Sequence, residues 1–341
     1  MLRSLVGSEM CIRDSGEGPC VALRADMDAL PIHEEADVEF RSEIDGKMHA
    51  CGHDCHTAML LGAARVLKDN EGEINGTIKL IFQPAEEGGA GGKMMRDQGV
   101  LKDPDVERIF GLHVSDKLPT GTLASKEGTL LAATSSIKIL VSGNGGHAAM
   151  PHLTVDPVVT GSKIVVELQT LVSRELDPLE SGVISITMAN AGSATNVIPS
   201  SMELQGTIRS LTSDGISRLQ QRVREVAEGI AMANRCMAEV TFPGNDFPPT
   251  VNDGECWKLG KISAGEILGE ERVSEMGSIM GGEDFSYYTQ VIPGCFSFLG
   301  VGNPEIGAVY GVHHPKFKVD EDALSLGTAI HVNTAFKALA R

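Results

Sequence analysis

Residues 78–87 read Ile78-Lys79-Leu80-Ile81-Phe82-Gln83-Pro84-Ala85-Glu86-Glu87. The apolar, β-branched and aromatic side chains predict a strand over 78–82. Pro84, with no N–H to give a sheet, stops it. Two carboxylates, Glu86 and Glu87, follow it and lead into the Gly-rich stretch Gly88-Gly89-Ala90-Gly91-Gly92. The same layout recurs elsewhere. Val21-Ala22-Leu23-Arg24 is a short apolar strand ahead of Asp26 and Asp28, and Arg108-Ile109-Phe110-Gly111-Leu112 is one ahead of His113. Residues 295–299 supply a further strand. A helix is predicted over 57–67, with Met59, Leu60, Ala63, Ala64 and Leu67 on one face. Such alternation implies an α/β fold, a largely parallel sheet with helices on both faces. Ligands of open α/β sheets bind beyond the carboxyl ends of strands, so these segments bring acids and imidazoles to one rim.

The middle of the chain has a different rhythm. Strands are predicted over 136–141, 183–188, 202–209 and 238–242, with helices over 156–175 and 214–234. The second helix spaces Ile216, Leu219, Val223, Val226 and Ile230 by alternating threes and fours. The order β-α-β-β-α-β is ferredoxin-like. The expected organisation is a catalytic domain in two halves, 16–126 and 243–341, interrupted by a small α+β domain at 127–242. The second half ends in a helix over 322–339, capped near Asp320. Residues 1–15 fit neither helix nor strand and are set aside as non-native or disordered.

The chain has 341 residues and a formal charge of −17, from 29 Lys and Arg against 46 Asp and Glu. That excess of acid excludes a phosphate-backbone partner, so no nucleic acid is expected. It also opposes an anionic membrane surface. No apolar run approaches the length of about 18 residues that a spanning helix needs, so no membrane association is expected. Seven thinly spread cysteines are not a disulfide scaffold, and no signal peptide is visible. A cytoplasmic location is the expectation.

The densest chemical signal is His49-Ala50-Cys51-Gly52-His53-Asp54-Cys55-His56. Imidazole and thiolate together bind borderline-soft divalent metals. Helix capping would explain His and Asp here but not Cys51 beside His53, and the Cys-x-x-Cys spacing of a structural zinc site is missing. Asp26, Asp28, Glu86, Glu87 and His113 follow separate strands, and His313-His314-Pro315 adds imidazoles late in the chain. Of the adjacent Glu86 and Glu87, one carboxylate can bind metal while the other takes a proton from water. Alone, the pair would read as a solvated acidic loop.

These residues carry a resemblance. The segments 22–31, 49–57, 82–87, 111–114, 143–152, 196–199, 206–209, 281–285 and 312–315 resemble, in order, the aminoacylase-type metallopeptidase family. The likeness is to its amidohydrolase branch of hippurate hydrolases and plant indole-acetyl-amino-acid hydrolases. It covers nearly the whole chain and implies a metallopeptidase-type sheet with an inserted lid and dimerisation domain. Residue by residue, it implies Cys51, His53, Glu87, His113 and His313 as ligands of two divalent ions, with Zn, Mn, Co and Ni all suitable. It makes Glu86 the general base and Asp28 an acid beside the ligands. His147 would stabilise the tetrahedral intermediate from a neighbouring subunit, which implies a homodimer. Asn196 and Arg209 would hold a substrate carboxylate. The implied reaction is hydrolysis of an N-acyl amino acid to a carboxylate and a free amino acid. Alternatives are a dipeptidase or N-acetyl-diaminopimelate deacetylase of the same family, or a non-catalytic metal-dependent binding homologue.

Two departures stand out. Family members begin with a helix carrying an Arg, a His and a Pro-Glu pair; residues 1–15 stand in its place, so that helix and a strand are expected to be missing. The wider family has His-x-Asp where this chain has Asp26-Met27-Asp28, so Asp26 is not assigned as a ligand.

Overall fold

A computed structural model describes residues 8–13, 18–244 and 246–340. The chain divides into two units. One takes the chain up to Leu130, Thr250–Ser278 and Glu283–Arg341, and the other takes Leu131–Pro249 and Ile279–Gly282.

The first unit is built on a seven-stranded sheet. Its order is Ser8–Arg13, Thr77–Gln83, Cys20–Asp26, Arg108–Pro119, Gly294–Gly302, Leu123–Ser125, Val273–Glu275. The centre is parallel, with Cys20 opposite Thr77, Val21 opposite Arg108 and Gly294 opposite Ile109. Antiparallel pairing enters at Ser8 with Phe82 and at Phe298 with Ala124, so the sheet is mixed. Cys20–Asp26 and Thr77–Gln83 are buried along their whole length, because helices cover both faces. Ile78, Leu80 and Phe82 enter one core with Leu60, Leu67 and Ile330 from the helices His53–Asp69 and Asp322–Leu339. Lys79 and Gln83 point the other way. The buried Lys79 ammonium is satisfied by the carbonyls of Val100 and Lys102, at 3.0 and 2.7 Å.

The second unit has a four-stranded antiparallel sheet in the order Met237–Thr241, Ala133–Ser142, Ser201–Ser210, Gly182–Ala191. In chain order this is 4-1-3-2, as a β-α-β-β-α-β chain gives. The helices Pro157–Thr170 and Ser213–Ala233 pack on it through Ile164, Leu168, Leu219 and Val223. Asp156 caps the first by accepting the N–H groups of Val158 and Val159. That helix ends in a π-helical turn, Leu171–Glu175, rather than running unbroken over 156–175.

Three expectations are corrected. Ser8–Arg13 is a strand and not a stretch without structure, because it pairs antiparallel with the edge of Thr77–Gln83; the rest of residues 1–15 lies outside the described residues. The helix read over 57–67 begins at His53, because Gly52 turns the chain into it at φ +85. His113 does not follow its strand but lies inside it, since pairing with Gly294–Gly302 continues to Pro119. What ends near His113 is the pairing with Cys20–Asp26, whose last partner is Gly111.

Candidate metal centre

Local backbone geometry assembles the site. Gly52 separates Cys51 from His53, and a Cβ there would stand 2.4 Å from Val114 Cγ2, so only glycine fits this left-handed turn. The N–H groups of Cys55 and His56 return to the Gly52 carbonyl at 3.0 and 3.2 Å. His313 is tied to the same segment, its N–H donating to Ala50 O at 2.7 Å. It adopts φ +66, and Ala85, just before Glu86, adopts φ +59. Side-chain-bearing residues in this region cost about 1–2 kcal/mol each. The surrounding structure holds both.

Two donor groups share one thiol. Ligand atoms of Cys51, His53 and His113 lie within 4.8 Å of one another, and so do those of Cys51, Glu87 and His313. A third such group, His53, Glu86 and Glu87, brings the second glutamate to the same place. Hydrogen bonds fix which nitrogens are free. His113 Nδ1 donates to Val114 O at 2.7 Å, leaving Nε2 3.4 Å from Cys51 Sγ. His53 Nδ1 faces Asp28 Oδ1 at 3.3 Å, and its buried Nε2 has no hydrogen-bond partner among the described residues. Glu87 Oε1 is also buried without one; His313 Nε2 lies 3.1 Å away but is not aligned to donate. Each orphaned buried polar atom costs about 1–3 kcal/mol, and divalent cations would satisfy both. Burial first, then the carboxylates of Glu87 and Glu86, push the Cys51 thiol far up. A bound cation reverses that and favours the thiolate. The residues therefore fit a dinuclear centre.

A buried charge network surrounds the donors. Arg24 reaches Asp26 Oδ2 and Asp284 Oδ1 at 2.8 Å each, Glu283 Oε1 at 2.9 Å and Gln83 Oε1 at 2.9 Å. Asp284 also accepts from the Gln83 amide and from Gly92 N–H. Asp28 accepts the backbone N–H groups of both Glu86 and Glu87. Burial, then Glu283, Asp284 and Asp26, hold the Glu86 carboxyl well above the usual carboxylate range. Burial pulls His53 down, but Asp26 and Asp28 outweigh it and raise it to about 9. The site thus attracts a positive charge to its imidazole edge.

Cys51, His53, Glu87, His113, His313, Glu86 and Asp28 are all brought together here. His147 and Asn196 meet in the second unit. There the ribbon Gly146–His147 pairs with Val197–Ile198, and Ala148 N–H donates to Asn196 O at 3.0 Å. Arg209, on the strand Ser201–Ser210, donates from Nη1 to Met280 O at 2.9 Å. Cys55 points into the core instead of the site. The sequence reading assigned no role to Arg24, His56, Gln83, Glu283 or Asp284. The signal was present: His56 closes the His/Cys octet, and Glu283-Asp284 sits in one of the segments that carry the resemblance.

A mixed α/β unit whose buried thiol, imidazoles and carboxylates converge beside a buried acid defines a metal-dependent amide hydrolase. The chain belongs to peptidase family M20/M25/M40, whose model matches residues 22–337. It is 48% identical over 328 residues to IAA-amino acid hydrolase ILR1-like 2 of Arabidopsis thaliana, covering 95% of this chain and 74% of that protein. It is 43% identical over 329 residues to thermostable carboxypeptidase 1 of Saccharolobus solfataricus, covering 96% and 82%. Among solved structures, a dinuclear metal binding peptidase of the M20 family from Bacillus subtilis superimposes with a TM-score of 0.83 at 35% identity, covering 98% of this chain and 85% of that one.

Proposed function

We propose that the protein hydrolyses N-acyl amino acids of the hippurate, N-acetyl or indole-acetyl type, releasing a carboxylate and a free amino acid. The observation that carries this reading is Glu86, a buried carboxyl within reach of His53 and Glu87 but outside the two groups that share Cys51. When bound, two divalent ions would lower the pKa of water and polarise the scissile carbonyl. Cys51, His53 and His113 would hold one, and Cys51, Glu87 and His313 the other. Glu86 takes the proton of the attacking water and returns it to the leaving nitrogen. His147 donates to the oxyanion of the tetrahedral intermediate. Asn196 and Arg209 hold the α-carboxylate. One Arg209 donor is engaged by Met280 O, and the guanidinium keeps others for a carboxylate fork.

A homodimer fits this scheme. Gly182–Ala191 is an edge strand, and residues 182–196 contain no charge and no proline, so nothing blocks pairing with a second copy. Among the described residues, no helix is long and apolar enough to cross a membrane. Seven cysteines spread thinly through 341 residues are not a disulfide scaffold, which supports a reducing compartment, the cytoplasm.

The test is turnover by metal-loaded protein on hippurate, N-acetyl amino acids, indole-acetyl conjugates and dipeptides side by side. Acylated amino acids should be cleaved, their α-amides should be poor, and a chelator should abolish the rate. Dipeptides outpacing every acylated substrate would overturn the reading.

A further inference from the structure

Val114 joins three parts of the metal centre. Its carbonyl accepts the His113 Nδ1 proton at 2.7 Å, which turns His113 Nε2 to Cys51. Its side chain lies over Gly52, so closely that any Cβ there would collide with it. Its N–H donates to His56 Nε2 at 2.9 Å. Since that nitrogen accepts, the ring proton of His56 is on Nδ1, which donates to Asp26 Oδ1 at 2.5 Å. Asp26 is anchored in turn by Arg24. His56 is 1% exposed, and its ring meets the edge of the His113 ring with centroids 4.6 Å apart.

Burial alone requires both ring nitrogens to be hydrogen-bonded, so what distinguishes His56 is the identity of its partners. Here one is held by a carboxylate with its own cation, and the other accepts the N–H of Val114, the residue whose carbonyl sets the angle of a neighbouring imidazole. We infer that His56 is a positioning residue for the Cys51–His53–His113 position, fixing the Val114 backbone through its N–H so that the Val114 carbonyl keeps His113 Nε2 turned to the metal. The inference rests on the dinuclear reading of the site. The other donor group, Cys51, Glu87 and His313, shares only the thiol with it. Loss of His56 therefore weakens one metal position selectively.

Cobalt titration of the metal-free full chain tests this. Bound cobalt per chain is read by equilibrium dialysis, and the thiolate and ligand-field absorption bands are followed. His56→Gln places an amide oxygen near the former Nε2 and can still accept Val114 N–H. His56→Asn places its amide near Nδ1 and can serve only Asp26. The unmutated protein should take up two equivalents. His56→Asn should keep one and bind the second about 10–100-fold more weakly, the usual cost of removing a hydrogen bond behind a ligand. His56→Gln should recover most of that loss. Met59→Ala removes core contacts of the same helix and should leave both equivalents unchanged. Equal weakening of both equivalents, no weakening, identical Gln and Asn variants, or the same selective loss in Met59→Ala would overturn the inference. A single equivalent in the unmutated protein would instead overturn the dinuclear reading beneath it. If His56→Asn does not fold, Asp26→Asn replaces it, since it loosens His56 while keeping the imidazole; an unchanged second equivalent there would count against the inference.

Discussion

Asp28 Oδ2 accepts the backbone N–H of Glu87 at 3.0 Å. Oδ1 of the same carboxylate takes the Glu86 N–H at 3.0 Å and faces His53 Nδ1 at 3.3 Å. One side chain beyond a strand end thus orders a candidate base, a candidate ligand and an imidazole. Burial pushes the Asp28 carboxyl up, but His53 and the two N–H groups outweigh it and hold it below the ordinary carboxylate value. Asp28→Asn swaps one acceptor oxygen for an NH2 group that cannot serve them. Metal affinity should fall about 10–100-fold. Activity against free metal concentration gives the measurement, and an unchanged metal dependence would refute the role.

Glu86 and Glu87 are adjacent and yet differently placed. Glu87 belongs to the group with Cys51 and His313, whereas Glu86 also lies with Glu283 and Asp284. Glu86→Gln should keep both metals and lose turnover by at least about 100-fold, the scale of a general base. Glu87→Gln should lose metal. The two measurements are metal per chain and rate on the best substrate. Metal loss in Glu86→Gln as complete as in Glu87→Gln would show that the roles are reversed.

The central strands were legible because strands buried on both faces leave continuous apolar runs, as in Val21–Leu23 and Leu80–Phe82. Ser8–Arg13 was not. Its Glu9, Met10 and Cys11 are exposed, and its state is decided by the open edge of Thr77–Gln83, which no local pattern records. The true helix start at His53 was not legible, because the chain enters the helix through a left-handed Gly52 and no side chain caps it. The donors were legible as residue types after strands and in one octet. The network behind them was not: Arg24 meets Asp284 across 260 residues of sequence, and His56 meets Val114 across 58. Such pairs appear only when the sheet is assembled.

His331 makes stability sensitive to acid. It lies buried on the helix Asp322–Leu339, and burial alone pushes it down from 6.5 to about 4. Between those values the unfolded chain binds a proton that the folded chain refuses. Stability is therefore unimpaired above about pH 6.5 and falls as pH drops towards 4. At about pH 5 the loss from this group is about 2 kcal/mol. Denaturant midpoints at about pH 8 and about pH 5, for the unmutated protein and His331→Leu, isolate it. The variant should lose less on acidification, and equal losses would exclude His331 as the cause.

The last prediction concerns the partner subunit. His147, on the ribbon Gly146–His147, and Asn196, just before its partner Val197–Ile198, are both exposed, and the candidate metal donors belong to the other unit. If His147 serves the site of the neighbouring subunit, two inactive chains can repair each other. Glu86→Gln and His147→Ala should each be nearly inactive alone. Unfolded together and refolded in equal amounts, about half of the dimers are mixed, because two-fold pairing is random. Each mixed dimer carries one site with Glu86 from one chain and His147 from the other, and one site with neither. Activity should recover to roughly a quarter of the unmutated level by that counting. Affinity tags of two kinds would show that mixed dimers form. Mixed dimers without recovery would place His147 in its own chain's site or outside catalysis.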